Sequence, residues 1–228
     1  MINYYRLDKK SFNDVYGGKA QIAYEICKKE KGIVTCGSRD SVQVLTFAQM
    51  CDKINIPCYV HIPKGKQTET IEKLEKTNAN IIYEKVGYNN VLNSHAKLNA
   101  ENLNYKFIPL GMIGCEEAKK IIMNNTKQLL IDFPETKRIV TVIGSGTTMI
   151  GICEYLNYIK SDIPVLGILV GMDSTKNIAK NTTYKYYNII KSEYKYQDKI
   201  KHEFLNPTYE AKCVKYLEEG DTLYVVAK

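Results

Sequence analysis

Two stretches of the chain carry residues whose types and spacing could do chemistry. The first is Gly144-Ser145-Gly146-Thr147-Thr148, which follows a β-branched run at 139–143 and precedes a helix-spaced apolar segment. Glycines let a backbone turn sharply and approach a ligand, while helix N-terminal amides and Ser/Thr hydroxyls offer hydrogen bonds to an anion. It is not a Walker A loop, having no Gly-Lys-Ser/Thr ending, nor a GxGxxG fingerprint, since Met149 stands where the third glycine belongs. It reads either as a phosphate cradle for a small phosphorylated ligand or as a tight strand-to-helix turn with a threonine cap. The second stretch, Tyr16-Gly17-Gly18-Lys19-Ala20, places Lys19 at the start of an amphipathic helix marked by Ile22, Ala23, Ile26 and Cys27. That end of a helix disfavours a cation, and with burial it favours the neutral amine that a Schiff base requires. The plain alternative is a solvated lysine beside an ordinary turn.

The elements that must position these residues alternate. Short apolar runs at 33–36, 58–62, 81–84, 106–109, 139–143, 165–170 and 222–226 read as buried strands. Helical spacing fills the intervals 41–53, 68–77, 90–102, 115–131 and 147–158, while 177–201, rich in Lys, Tyr and Asn, is open between helix, short strand and surface excursion. Such alternation predicts parallel strands with helices on both faces and right-handed crossovers. Ligands of such sheets sit outside the carboxyl ends of the strands, which singles out the loops 37–41, 87–90, 111–115, 144–148 and 171–173. In the second of these, residues 87–90 read either as a substrate contact or as a plain turn with an Asn cap.

Composition bounds the function. The 228 residues, 44% hydrophobic and 25% charged, suffice for one large or two small globular domains and exclude a disordered or fibrous chain. No apolar run approaches the roughly 20 residues of a membrane span, and the polar N-terminus is unlike a signal sequence, so a cytoplasmic protein is expected. Seven scattered cysteines without a CxxC pair fit buried reduced thiols better than a disulfide framework, and with three isolated histidines no metal site is expected. The net charge of +7 is nearly all lysine, the arginines being Arg6, Arg39 and Arg138. It permits an anionic ligand without demanding a nucleic acid, whose readers favour Arg forks and a basic stripe.

Taken in chain order, these pieces resemble the pyridoxal-phosphate (PLP) enzymes of fold type II, the tryptophan synthase β-like group, and most of all its D-cysteine desulfhydrase and 1-aminocyclopropane-1-carboxylate deaminase branch. Gly17-Gly18-Lys19-Ala20 is similar to the branch's Gly-Gly-Asn-Lys segment. The stretch 35–43, with Ser41 and Gln43, resembles the strand and Ser-Asn-His/Gln loop. Phe107-Ile108-Pro109-Leu110-Gly111 resembles the Ile-Pro-x-Gly strand end, the loop 144–148 the Gly-Ser-Gly-Gly-Thr phosphate loop, and 206–212 the Asp-Pro-Val-Tyr-Thr-Gly-Lys segment. The resemblance spans roughly Tyr16 to Lys212.

The resemblance implies two parallel-sheet α/β domains with a PLP cleft between them, the smaller (37–103) inserted into the larger (1–36 and 104–228). Lys19 would hold PLP as a Schiff base and shuttle a substrate proton. Gly144, Ser145, Gly146, Thr147 and Thr148 would bind the phosphate, with Thr148 the favoured hydroxyl. Ser41 and Gln43 would hold the substrate carboxylate beside Gly111, and Ser41 or Tyr209 would be the auxiliary acid, base or nucleophile. Ser41 can equally be a helix cap, and Tyr209 is one of 18 tyrosines, by abundance a packing residue. The expected activity is elimination, deamination or isomerisation of a small amino acid or amine-bearing metabolite, in a homodimer without membrane partner. Alternatives are a PLP-binding protein without catalysis, or the same scaffold acting on a nucleotide or nucleic-acid base. Three departures bear on these expectations. Val42 replaces the Asn that meets the cofactor's 3-oxygen, and one residue is missing before Lys19. The chain also ends at Lys228, just after the strand beyond which the family's ring-nitrogen partner is expected.

Overall fold

A computed structural model describes residues 1–85, 89–171, 173–194, 197 and 199–226. The elements run β1 (Asn3–Arg6), β2 (Ser11–Phe12), β3 (Val15–Tyr16), α1 (Gly18–Cys27), β4 (Ile33–Cys36), α2 (Val42–Ile54), β5 (Cys58–Pro63), α3 (Glu69–Leu74), β6 (Asn80–Glu84), α4 (Asn89–Leu103) and β7 (Lys106–Ile108). They continue with α5 (Glu116–Asp132), β8 (Arg138–Ile143), α6 (Thr147–Tyr158), β9 (Val165–Leu169), α7 (Thr175–Asn181), β10 (Tyr187–Lys191) and β11 (Asp221–Val225). The chain forms two compact units, residues 11–115 and residues 1–10 with 116–228.

In the unit 11–115 the parallel sheet has the order β6-β5-β4-β7, next to a small β2-β3 hairpin. Strand β4, Ile-Val-Thr-Cys, is buried throughout because β5 and β7 flank it and helices cover its faces. Helix α2 puts Val44, Phe47, Ala48, Met50 and Cys51 into the core. Of these, Val44, Phe47 and Met50, fully buried, each contribute about 1.5–3 kcal/mol. The helix starts where Ser41 Oγ accepts from Val44 N at 3.3 Å and stops where Asn55 turns left-handed at φ 61°.

The other unit has a five-stranded parallel sheet, β1-β11-β8-β9-β10. Ile139, Val140, Leu166, Ile168, Leu223 and Val225 fill its middle, and α5 packs on α6 over one face. The ambiguous segment 177–201 resolves into the end of α7 and edge strand β10. β1 and the β2-β3 hairpin are elements that periodicity alone does not reveal, because β1, Asn-Tyr-Tyr-Arg, is no β-branched apolar run and β2 and β3 have two residues each.

The units divide at 10/11 and 115/116, whereas the sequence reading expected 36/37 and 103/104. Hydrogen-bond ladders decide the difference. β4 pairs with both β5 and β7, which draws residues 33–36 and 106–108 into one sheet, and α1 follows because it packs on α2.

Candidate active site

In the unit 11–115, three of the expected residues meet at the carboxyl ends of β4 and β7. Ser41 caps α2 through a lone pair of its hydroxyl, which leaves the O–H proton for a further acceptor. Gln43, only 4% exposed, donates from Nε2 to Thr35 Oγ1 at 3.1 Å and to Pro109 O at 2.9 Å. The Pro109 carbonyl accepts only, so it fixes which end of the amide faces it. Thr35 in turn donates to Ile108 O at 3.2 Å. Both Gln43 N–H groups are thereby committed within the fold, and its Oε1 is buried with no partner among the described residues. A substrate carboxylate needs donors, so what Gln43 presents is instead an acceptor. Gly111, two residues beyond Pro109, sits at φ 67°. Asn93, which sequence reasoning missed, ties these ends to α4. Its Oδ1 accepts from Leu110 N at 3.0 Å and from Cys36 Sγ at 3.6 Å. A lone asparagine in a helix gives no signal for such a role.

Lys19 lies in the first turn of α1 and is half-buried. Gly17 permits the entry at φ 105°, which a side chain would strain, and neither an acidic residue nor a side-chain cap occupies that turn. Arg39, in the loop before Ser41, donates to Lys66 O at 2.5 Å and Pro63 O at 3.0 Å, so it braces the neighbouring loop. Of the stretch 87–90, residues 87 and 88 lie outside the described residues, and Asn89 and Asn90 open α4.

In the other unit the glycine loop joins β8 to α6. Gly146 holds φ 93°, and a Cβ there would come within 2.8 Å of Ile178, so the position suits only glycine. The N-cap of α6 is Gly146, which has no side chain to cap it. The first helical bond is Ile150 N to Gly146 O, and the amides ahead of it have no upstream carbonyl of their own helix. Ser145 Oγ and Thr147 Oγ1 share a hydrogen bond at 3.3 Å, Thr147 is buried, and Thr148 is partly open to solvent. Two further polar atoms, Ser174 Oγ and Asn177 Nδ2, are buried without a partner among the described residues. Ser174 Oγ lies 3.6 Å from where a Cβ on Gly146 would sit. Loop composition did not flag either residue. An uncapped helix start beside orphaned polar atoms fits a phosphate ester, which brings acceptors and negative charge.

Tyr209 rests against the same loop, its Cε1 3.8 Å from the Cβ position of Gly144. Its neighbour Glu210 is completely buried and accepts from Val226 N at 3.0 Å through Oε1. Sequence reasoning passed over this carboxylate, which shares its turn with Lys212 and Lys215 and so does not stand out by charge. The seven cysteines are buried, and no disulfide among the described residues joins them. Burial pushes the Cys36 and Cys153 thiols up to about 12 and Cys213 further, so these three are not nucleophiles. His61 Nδ1 and His95 Nδ1 flank Glu84 at 2.8 Å and 3.1 Å, and Asn99 Nδ2 meets His61 Nε2 at 2.9 Å. Burial works to raise the Glu84 carboxyl, and the hydrogen bonds from His61 and His95 outweigh it, holding the group below its usual range. No helix among the described residues is long and apolar enough to cross a membrane.

The family model described as pyridoxal-phosphate dependent enzyme matches residues 11–227. No curated protein matches the sequence. Among solved structures, threonine deaminase isoform 2 from Solanum lycopersicum is similar with a TM-score of 0.73 at 12% identity, covering 100% of this chain and 79% of that one. The serine racemase from Dictyostelium discoideum gives 0.72 at 13% identity, covering 99% and 86%. A homologue of ACC deaminase gives 0.71 at 17% identity, covering 93% and 79%. At such identities the likeness is one of fold, the α/β architecture of fold type II.

Proposed function

The chain belongs to the pyridoxal-phosphate dependent enzymes, and from that premise we propose that it acts on a small amino acid or amine-bearing metabolite by elimination, deamination or isomerisation. In this reading Lys19 is the cofactor-linked lysine and the Gly144–Thr148 loop the phosphate cradle. The observation that carries it is the uncapped start of α6, with Gly146 fixed at φ 93° and Ser174 Oγ and Asn177 Nδ2 buried beside it without partners among the described residues. The deaminases and the racemase among the similar structures support amino acids as the substrate class.

Bound PLP supplies an electron-withdrawing ring that stabilises negative charge at the substrate carbon next to its nitrogen. The rest falls to the chain. The amides that open α6, with the Ser145 and Thr148 hydroxyls, donate to the phosphate oxygens. Glu210, buried at the end of β11, is our candidate to face the pyridine nitrogen, and Tyr209 to move a proton beside the loop it touches. Lys19 carries the proton of the substrate carbon on its Nζ. The Ser41 O–H donates to the substrate carboxylate, while Gln43 Oε1 accepts from an N–H or O–H of the ligand.

The test is a spectrum. Purified protein with PLP is expected to show a visible band that borohydride removes, leaving the reduced cofactor on the Lys19 peptide by mass spectrometry. Absence of the band, or an unchanged band in Lys19→Ala, rejects the assignment. Val42, standing where the resemblance implies an Asn at the 3-oxygen, favours a second reading, cofactor binding without turnover. Labelled PLP on Lys19 with no conversion across a panel of D- and L-amino acids selects that one. A cytoplasmic homodimer completes the proposal, and light scattering checks the dimer.

A further inference from the structure

Lys212 is completely buried, and no other lysine among the described residues is. Its Nζ donates to three main-chain carbonyls of one segment, Glu193 O at 2.9 Å, Tyr194 O at 2.8 Å and Gln197 O at 2.6 Å. An ammonium group has three N–H donors and no acceptor, so these carbonyls use it fully. Convergent carbonyl oxygens are also what a protein offers a bare monovalent cation in place of its hydration shell. Without them, burying the charge would be prohibitive.

The surroundings show what this cation holds together. Lys212 lies in the 3-10 turn Glu210–Tyr216, where residues three apart eclipse. Three positions on, Lys215 Nζ reaches Glu193 Oε1 at 2.7 Å, so two stacked lysines grip one residue by main chain and side chain. Ile200 N donates to Pro207 O at 3.1 Å, and Tyr209 N and Ala211 N both donate to Asn206 O, at 3.2 Å and 3.0 Å. The segment that supplies the carbonyls therefore backs the turn that carries Tyr209 toward Gly144.

We propose that Lys212 is a tethered cation filling a carbonyl-lined site for an ammonium-class ion, and that this built-in ion holds the Tyr209 turn in place without any free monovalent cation. Removing the side chain beyond Cβ deletes three methylenes and the ammonium, which is the composition of n-propylammonium. Lys212→Ala therefore opens a site for that ion, and less well for ammonium itself. The inference goes beyond the proposed function, since it stands whether or not Lys19 carries the cofactor.

The experiment compares thermal midpoints of the full-length wild type and Lys212→Ala in chloride salts of n-propylammonium, ammonium and tetramethylammonium at constant ionic strength. Tetramethylammonium has the charge but no N–H donor. We expect the wild type to be indifferent to the cation. Lys212→Ala should fall by roughly 10 °C in tetramethylammonium, since stranded partners of a buried charge destabilise strongly. It should regain about half of that loss, saturably, in n-propylammonium, following the mass action of a bound ligand. Equal midpoints of the variant in all three salts, or the same salt dependence in the wild type, would overturn the proposal. Should the variant be isolated only unfolded, its refolding yield from urea in the same salts is the readout. A yield raised by n-propylammonium over tetramethylammonium supports the site, and equal yields reject it.

Discussion

Two loops of this protein do the same local job, carrying the chain from a buried parallel strand into a helix, and they finish it differently. After β4 the chain caps itself, because Ser41 Oγ takes up the Val44 amide. After β8 it does not, because Gly146 brings no side chain and α6 begins uncapped. Helix N-terminal amides need an acceptor from somewhere. A loop that supplies its own spends them on stability and presents side chains, while one that withholds it leaves them open to an anion of the kind proposed. Orphaned polar atoms lie beside the second loop, Ser174 Oγ and Asn177 Nδ2. Beside the first, the orphan among the described residues is an acceptor, Gln43 Oε1.

Substitutions can break or sharpen this contrast. The largest effect belongs to Lys19→Ala, which should lower turnover by on the order of 10³-fold, since it removes the proposed proton carrier, and should abolish the borohydride-trapped adduct. Next comes Gly146→Ala. A left-handed residue costs about 1–2 kcal/mol without glycine, and the new Cβ would press on Ile178, so PLP affinity measured by absorbance titration should drop about tenfold or more. Stabilisation of the protein by inorganic phosphate should shrink in parallel. An unchanged affinity would remove the anion role from the uncapped loop.

Gln43→Leu acts on the self-contained side. It removes one hydrogen bond from Pro109 O, which keeps Met112 N, and one from Thr35 Oγ1, which keeps Ile108 O, and each such bond is worth about 0.5–1.5 kcal/mol. We expect a thermal midpoint lower by roughly 4–8 °C, with phosphate affinity within about twofold of wild type. Ser41→Ala is milder, about 1 kcal/mol and 2–4 °C, and Ser41→Asp, which can still cap, should recover the loss. Loss of phosphate binding in Ser41→Ala would mean that the two loops are not separate in function.

The smallest effect concerns acid. The folded Glu84 carboxyl titrates below its unfolded value of 4.5, with burial opposing and His61 and His95 enforcing the shift. Its contribution is therefore complete above that unfolded value and is lost as pH falls through the lower folded one. Glu84→Gln should flatten the decline in thermal midpoint on acidification below about pH 5, and an unaltered decline would assign the loss to other carboxylates.

How much of this could be read in advance differs by residue. The helix 147–158 was legible to the residue, and Ser41 was legible as a cap, because spacing and capping depend on neighbours within a turn or so. The two hydrogen-bond donors of Gln43 were not legible. One partner is eight residues back, the other sixty-six ahead, and only the pairing of β4 with β7 brings them together. The unit boundaries failed for the same cause, since residues 33–36 and 106–108 share a ladder that no local pattern announces.

By itself, then, the sequence determined the alternation of strand and helix, the glycine loop at 144–148, the lysine at the head of α1 and the family they imply. These follow from side-chain periodicity and local backbone preference, which act over a few residues. Tertiary structure decided which polar atoms were consumed and which were left. It turned Gln43 from a donor into an acceptor, buried Glu210 against the Val226 amide, and closed three carbonyls on Lys212. The physical reason is that a buried hydrogen bond joins whatever the fold brings within about 3 Å, however far apart the two groups lie along the chain.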